Sequence, residues 1–373
     1  MNDQHLHIVS FNIPYPANYG GIIDVYNRIR VLSESGVKIH LHCFEYGRPH
    51  APELERLCFS VNYYKRDTSV RNLFCKTPYI CCSRRSNELI NNLLQDDYPL
   101  LIEGLHCCEI LRDKRFEKRN TIVRIHNIEH EYYRLLAKQE KSLLRRLYLS
   151  NEAKKLRKYE DILAKARHLI TVNQTENDYL NAKYGTATLI PSFHQFDDVC
   201  SLQGRGSHIL YHANLSVPEN IVAAKWLTTN VFAKTDLAVK IAGLNPPREL
   251  RNLTAKYQNI QLIENPSDTD MQVLIQNAHI IIMYTHQPTG LKLKLLHSLF
   301  AGRFCLVNSN MVSGTSLAQA CELADTPNDF LAKIDRLRTM PFDDNQIDHR
   351  IMLLTNDYSN YRNRDRIIKI IES

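Results

Sequence analysis

Short, nearly continuous apolar runs alternate with longer amphipathic stretches along the whole chain, and the series occurs twice. In the front half, Leu6–Phe11, Lys38–Phe44, Phe59–Tyr64, Leu100–Glu103, Thr121–Ile125 and Leu169–Val172 read as strands, with helices expected over Gly21–Ser35, Asn87–Gln95 and Glu129–Ala164. In the back half the strand candidates are His208–Tyr211, Leu237–Ala242, Ile260–Ile263, Ile280–Tyr284 and Phe304–Asn308. Helices are expected there over Pro218–Phe232, Arg248–Lys256, Thr269–Gln276, Leu291–Ala301 and Phe330–Leu337, and a last one over Ser359–Ile371. A strand that is apolar on both faces needs cover on both, and helices between successive strands supply it when the strands run parallel. The expected fold class is therefore α/β, with two doubly wound, Rossmann-like parallel-sheet domains. In such sheets ligands bind beyond the carboxyl ends of the strands.

The chain's 373 residues suit two domains. Breakers gather at Pro191–Gly206, so the expected domains are 1–195 and 196–355, followed by a terminal segment, 356–373. The net charge of +7 is unevenly placed: residues 1–195 hold 29 Lys+Arg against 22 Asp+Glu, and the remainder holds 18 of each. A basic front domain is expected to face something anionic. Most of the excess lies in Lys138–Lys158, where eight basic residues meet Glu140 and Glu152 alone. That stretch can be a solvated face, a contact with anionic membrane or a nucleic-acid contact. No recognised nucleic-acid module accompanies it, so no nucleic-acid partner is expected. Ten cysteines without a CxxC predict reduced thiols and a cytoplasmic protein, possible also at the inner face of the membrane. The start, Met-Asn-Asp-Gln-His, reads as lacking a leader, and no apolar run approaches the ~18 residues of a membrane span.

Three segments carry candidate chemistry. Directly after the first strand, Asn12-Ile-Pro-Tyr-Pro-Ala-Asn-Tyr-Gly20-Gly21 closes a loop and opens a helix. Paired glycines let a ligand approach the backbone, and a helix N-terminus offers N–H groups to an anion such as phosphate. The loop is neither a GxGxxG nor a Walker loop. The second segment is Arg124-Ile-His126-Asn127-Ile-Glu129-His130. Its letters match an inverted zinc-protease pattern, which needs both histidines on one helix. His126 instead falls at a strand end, where a neutral imidazole can hydrogen-bond a sugar hydroxyl or a phosphate oxygen; Asn127 reads as a helix cap. The third runs from Thr289-Gly290-Leu291-Lys292-Leu-Lys294 through His297 to Gly302-Arg303. Two lysines at a helix start oppose its dipole, by ~0.3–1 kcal/mol each, and suggest a bound anion.

Taken together, these segments resemble the retaining GT-B glycosyltransferases of the group called family four, or group one. The resemblance covers nearly the whole chain. It rests on the Gly20-Gly21 loop, the strand-His126-Asn127 segment, the turn Tyr211-His-Ala-Asn214-Leu-Ser-Val-Pro-Glu-Asn220, Ile241-Ala-Gly-Leu-Asn-Pro246, the Gly290–Gly302 helix and the closing helix. The resemblance implies two domains facing a cleft, with the last helix crossing back onto the front domain. It implies that Gly20 and Gly21 approach the donor phosphates, that His126 lies near the transferred sugar, and that Gly290 opens a helix directed at the donor diphosphate. It places Lys294 at a lysine found in one branch of the group. Where many members have two glutamates eight positions apart, this chain has Thr289 and His297; where many have an arginine, it has Asn214. Positive charge for the diphosphate would then come from Lys292, Lys294 and Arg303.

The resemblance thus implies transfer of a hexose from a nucleotide-sugar donor to a glycan or lipid-linked acceptor, with retention of configuration and without a metal or other cofactor. Cell-surface polysaccharide or glycoconjugate synthesis is the expected setting. The expected site is His126, Lys292 and Lys294 for catalysis, with Gly20, Gly21, Asn214, Thr289, Gly290, Leu291 and His297 for donor binding. The missing carboxylates also allow a non-catalytic GT-B-like protein that binds a sugar nucleotide or serves as a partner subunit.

Overall fold

The computed structural model describes residues 4–373, with Gln139 described by its backbone alone. Met1, Asn2 and Asp3, which open the stretch read as lacking a leader, lie outside the described residues. The chain divides into two units. The first takes the residues up to Gln195 together with Thr289–Leu291 and Tyr358–Ser373; the second takes Phe196–Pro288 and Lys292–Asp357.

The first unit is built on a sheet of β1 (His5–Ser10), β2 (Lys38–Glu45), β3 (Ser60–Lys65), β4 (Leu100–Glu103), β5 (Thr121–Ile125), β6 (His168–Thr171) and β7 (Ala187–Leu189). Their order is β3-β2-β1-β4-β5-β6-β7, every pair parallel. The second unit repeats the plan with β8 (His208–His212), β9 (Val239–Gly243), β10 (Ile260–Glu264), β11 (Ala278–Met283), β12 (Phe304–Val307) and β13 (Glu322–Leu323), ordered β10-β9-β8-β11-β12-β13 and again all parallel. The two doubly wound sheets expected from the alternation are therefore present. In β4, Leu100 and Ile102 enter one apolar core of the first unit and Leu101 enters the other. Each face is covered, so successive residues of one strand are all apolar. β7 and β13 escape the sequence reading because they are three and two residues long and largely half-exposed.

Two expected helices differ in the structure. The stretch Glu129–Ala164 breaks into helices Glu129–Gln139 and Leu143–Tyr159 and a 3-10 turn Glu160–Lys165. Glu140 leaves helical geometry, and its carboxylate accepts the backbone N–H of Ser142 at 2.9 Å, so a local side-chain bond replaces the helical ladder. The helix expected from Leu291 begins at Leu293, with Lys292 in the N-cap position. Gly290 has φ of +70°, a left-handed conformation that keeps it outside the helix.

The helix Asn360–Glu372 is part of the first unit. Its Ile367 and Ile371 are buried in the core that contains Ile29 and Leu32 of the helix Gly20–Glu34. The Asn120 amide donates to the carbonyls of Ile370 and Ile371 at 3.2 and 3.0 Å.

One face of β1 and β2 carries an array of imidazoles. His7 Nδ1 lies 2.8 Å from His42 Nε2, and His5 Nδ1 lies 2.8 Å from His40 Nε2. The far nitrogens reach Asp96, Tyr64 and Ser60 at 2.8–2.9 Å. The rings stack on one another and on Tyr98. Burial lowers His7 from the usual 6.5 to about 4 against the pull of Asp96, and lowers His42 to about 3 with His7 adding to the effect. An imidazole with a lower pKa in the fold binds fewer protons folded than unfolded, so stability rises with pH across the interval between the two values. The stabilisation is complete above about pH 6.5 and is lost progressively as pH falls towards about 4. Urea unfolding between pH 8 and pH 4.5 should show a loss on the order of 3 kcal/mol from this array. His42→Phe should flatten that slope; an unchanged slope would assign the acid lability to other groups.

Candidate active site

In the first unit, the carboxyl end of β1 leads into Phe11 and Asn12. Asn12 accepts the Ile13 N–H on Oδ1 at 2.8 Å, and Ser10 donates to the Asn12 carbonyl at 2.6 Å. The loop closes at Gly20 and Gly21, the first residues of their helix. A Cβ at Gly20 would meet nothing within 4 Å, whereas one at Gly21 would lie 3.0 Å from Phe11 Cζ. The Phe11 ring also stands edge-on to His126, centroids 6.0 Å apart, so Gly21 and His126 flank one side chain.

His126 follows β5 and joins a buried ion network that the sequence reading did not find. Both Asp24 oxygens accept from Arg124, at 2.6 and 2.9 Å, and Arg28 donates to Asp24 at 3.0 Å and to Glu103. His126 Nε2 is 3.1 Å from Glu103 Oε2, and Nδ1 is 3.6 Å from Asp24 Oδ2. Burial pushes Asp24 up, but Arg124 and Arg28 outweigh it and hold the carboxylate well below its usual range. Burial lowers His126 to about 4 against the pull of Asp24, so its imidazole is neutral at pH 7. Asp24, Glu103 and His126 offer ligand atoms within 4.8 Å of one another. Their carboxylates are already matched by two guanidinium groups, so the cluster is a charge-balanced ion network. The zinc-protease reading does not assemble: His130 is bonded to Glu160 at 3.1 Å, away from the partners of His126.

Two more carboxyl groups lie beyond β5 and β6. Glu129 is buried in the first turn of its helix and is pushed up to about 8 by burial, with Glu176 adding and Arg84 opposing. Burial thus favours its protonated form. Glu176 accepts the Gly290 N–H at 2.9 Å. A Cβ at Gly290 would lie 2.5 Å from Asn127 Oδ1 and 3.3 Å from the His126 carbonyl, so this position requires glycine on both steric and φ grounds. Thr289 and Leu291 beside it are half-buried.

In the second unit, the turn after β8 is held by Asn214, whose Oδ1 accepts from the Ser216 N–H at 3.0 Å and the Ser216 hydroxyl at 2.6 Å. Asn220 links this turn to Lys294: its amide donates to the Asn214 carbonyl and its Oδ1 accepts from Lys294 Nζ, both at 2.9 Å. Lys294 lies in the first turn of its helix, 5.7 Å from the Tyr211 ring centroid. Burial lowers it to about 8, with Glu219 opposing and Lys292 assisting. Glu219 in turn accepts the Thr285 hydroxyl from the loop after β11. The structure thus brings Asn214 and Lys294 together at the carboxyl edge of the second sheet. It leaves His297 a turn further along, tied to Gln272 at 2.8 Å and against the Phe196 ring.

Arg303 is not at this edge. It precedes β12 at the amino end of the sheet and donates to the carbonyls of Gln276, Ala278 and Gln203. A residue that enters a strand is on the opposite side from one that leaves it, so Arg303 cannot supply the charge expected of it.

No family model matches the sequence. A curated relative from Klebsiella pneumoniae, described as an uncharacterized 44.6 kDa protein in the cps region, is 28% identical over 328 residues, covering 83% of this chain and 84% of its own. Among solved structures, sucrose-phosphate synthase from Thermosynechococcus elongatus is similar at a TM-score of 0.68 and 12% identity, with 99% of this chain and 98% of that one covered. The Anabaena protein HepE, solved with UDP and glucose, gives 0.64 at 10% identity, covering 99% of each chain. A UDP-forming α,α-trehalose-phosphate synthase from Burkholderia xenovorans, in complex with glucose-6-phosphate, gives 0.62 at 11% identity, with 99% and 100% covered. The fold is that of the GT-B glycosyltransferases: two Rossmann-like units, each a parallel sheet covered by helices.

Proposed function

We propose that the chain is a glycosyltransferase that moves a sugar from a nucleotide-sugar donor to a glycan or lipid-linked acceptor. The observation that carries this reading is Lys294, a lysine oriented by Asn220 at the start of a helix on the carboxyl edge of the second sheet. As the glycosidic bond breaks, negative charge builds on the leaving diphosphate. The N-terminal amides of the helix Leu293–Ala301, with Lys294 and Lys292, are suited to stabilise that charge. Gly20 has open space for a close approach of donor phosphates, and neutral His126 can hydrogen-bond the sugar. Asn214 shapes the turn that positions Asn220, and Thr289, Leu291 and His297 complete the proposed donor contacts. We read the transfer as retaining, of a hexose, and without metal or cofactor, following the family resemblance.

The Klebsiella relative, placed by its description in a cps region, supports a role in cell-surface polysaccharide synthesis. Among the described residues, no helix is long and apolar enough to cross a membrane. We place the protein in the cytoplasm, with Lys138–Lys158 directed at the anionic inner face of the membrane. Screening nucleoside diphosphates by thermal shift should single out one base, because a ligand that binds only the folded state raises the midpoint. The matching nucleotide sugars should then be hydrolysed slowly without acceptor. Binding without hydrolysis of any donor would favour the second reading, a non-catalytic GT-B protein, for which the absence of carboxylates at Thr289 and His297 is the motive. No binding of any nucleoside diphosphate would refute both.

A further inference from the structure

We propose that the amino-terminal half of the helix Leu143–Tyr159 and the 3-10 turn Val70–Phe74 form one docking surface for an anionic lipid bilayer, with leucine and phenylalanine side chains inserted into it. This deepens the membrane placement proposed above, which rested on charge alone. An ordinary surface helix hides its apolar stripe and shows its polar face. The amino-terminal half of this one hides neither face. All residues from Lys141 to Tyr148 are exposed, on every side of the helix, and Leu143, Leu144 and Leu147 keep 71%, 81% and 68% of their surface. Further along, the helix is held in the unit: Glu152, Leu156 and Tyr159 are buried, and Glu152 accepts the Tyr79 N–H at 2.7 Å.

A second apolar element is tied to the same helix. Lys155 Nζ donates to the Leu73 carbonyl at 3.0 Å and is paired with Glu152 at 2.8 Å. The turn it holds presents Phe74 at 84% exposure and Val70 at 67%. The exposed cations Lys141, Arg145 and Arg146 lie beside these leucines in the chain, and the same helix carries Lys154, Arg157 and Lys158, also exposed, further along. The first turn of the helix contains no acidic residue; the one carboxylate at its N-terminus is Glu140, which accepts the Ser142 N–H at 2.9 Å and lies 3.9 Å from Arg145, leaving the cations in excess there.

The occupant has to be apolar at its centre and anionic around it. A second copy of this chain would bring the same cations to the same patch, and face-to-face pairing about a two-fold axis would set them against each other. A nucleic acid would leave the leucines and Phe74 in water. Anionic lipid meets both demands: headgroups pair with the cations while the side chains reach the acyl boundary.

The test is co-sedimentation of the full chain with vesicles of phosphatidylcholine alone and of phosphatidylcholine mixed equally with phosphatidylglycerol. The mixed vesicles should bind it, and the neutral ones should bind it at least ~tenfold more weakly. Leu143→Ser/Leu144→Ser/Leu147→Ser should weaken binding to mixed vesicles by a further ~tenfold while leaving nucleoside diphosphate binding unchanged. Should that triple variant fail to fold, Leu144→Ser and Phe74→Ser should each weaken binding by about threefold. Undiminished binding of the leucine variants would reduce the contact to electrostatics and overturn insertion. Equal binding to both vesicles would overturn the anionic requirement. A dimer that the triple variant dissolves, with no vesicle binding, would make the patch a contact between copies. None of these readouts involves sugar transfer, so they stand or fall apart from the glycosyltransferase reading.

Discussion

Lys294→Ala is expected to lower kcat/KM for the nucleotide sugar by about 100- to 1,000-fold, the scale on which loss of one oriented charge-stabilising group acts. The side chain sits at the carboxyl edge of the second sheet, held by Asn220 and opposed in charge by Glu219. Its lowered value, about 8, adds a signature that simple loss of packing does not give. The ammonium is present below that pH and is lost as pH rises through it. In the parent, kcat/KM should therefore fall on the alkaline side with an apparent value near 8, since that parameter reports the free enzyme. Lys294→Arg should remove the alkaline limb, because a guanidinium stays charged. An alanine variant with unchanged kcat/KM would remove Lys294 from the mechanism.

Asp24→Asn should destabilise the protein by about 3–5 kcal/mol, the scale for removing one partner of a buried ion pair. The asparagine keeps the shape and loses the charge, leaving Arg124 and Arg28 facing each other around a neutral amide. Arg28, lowered to about 9 by burial against the pull of Asp24, shows how heavily its cationic form leans on this carboxylate. Urea unfolding measures the effect. A loss below about 1 kcal/mol would mean that Glu103 alone neutralises the cluster.

The architecture was legible because both faces of each sheet are covered: runs such as Leu100-Leu101-Ile102 leave no polar alternation that another fold could use. The Gly20-Gly21 loop and the segment around Lys294 were legible because glycine at a strand-to-helix turn and lysine at a helix start are locally costly choices. The ion network was not, although it left a trace: Arg124 and Glu103 are charged residues within or ending apolar runs. A single sequence does not show that Arg124 would meet Asp24, one hundred positions earlier. The misplacement of Arg303 has a similar origin. Closeness to Lys294 along the chain suggested a shared site, but the intervening helix carries it to the amino end of β12.

The exposed leucines were overlooked for a different reason. Leu143, Leu144 and Leu147 fit a helical core pattern as well as any other, and the sequence does not show that the chain leaves helical geometry at Glu140, so that they open a separate helix.

The core shared by Ile29, Leu32, Ile367 and Ile371 also bears on the order in which the protein is made. The first unit emerges from the ribosome early but lacks the helix that closes one side of it until the second unit has been synthesised. Its early residues must wait with part of their apolar surface open, and any fragment cut before Tyr358 keeps that surface open permanently.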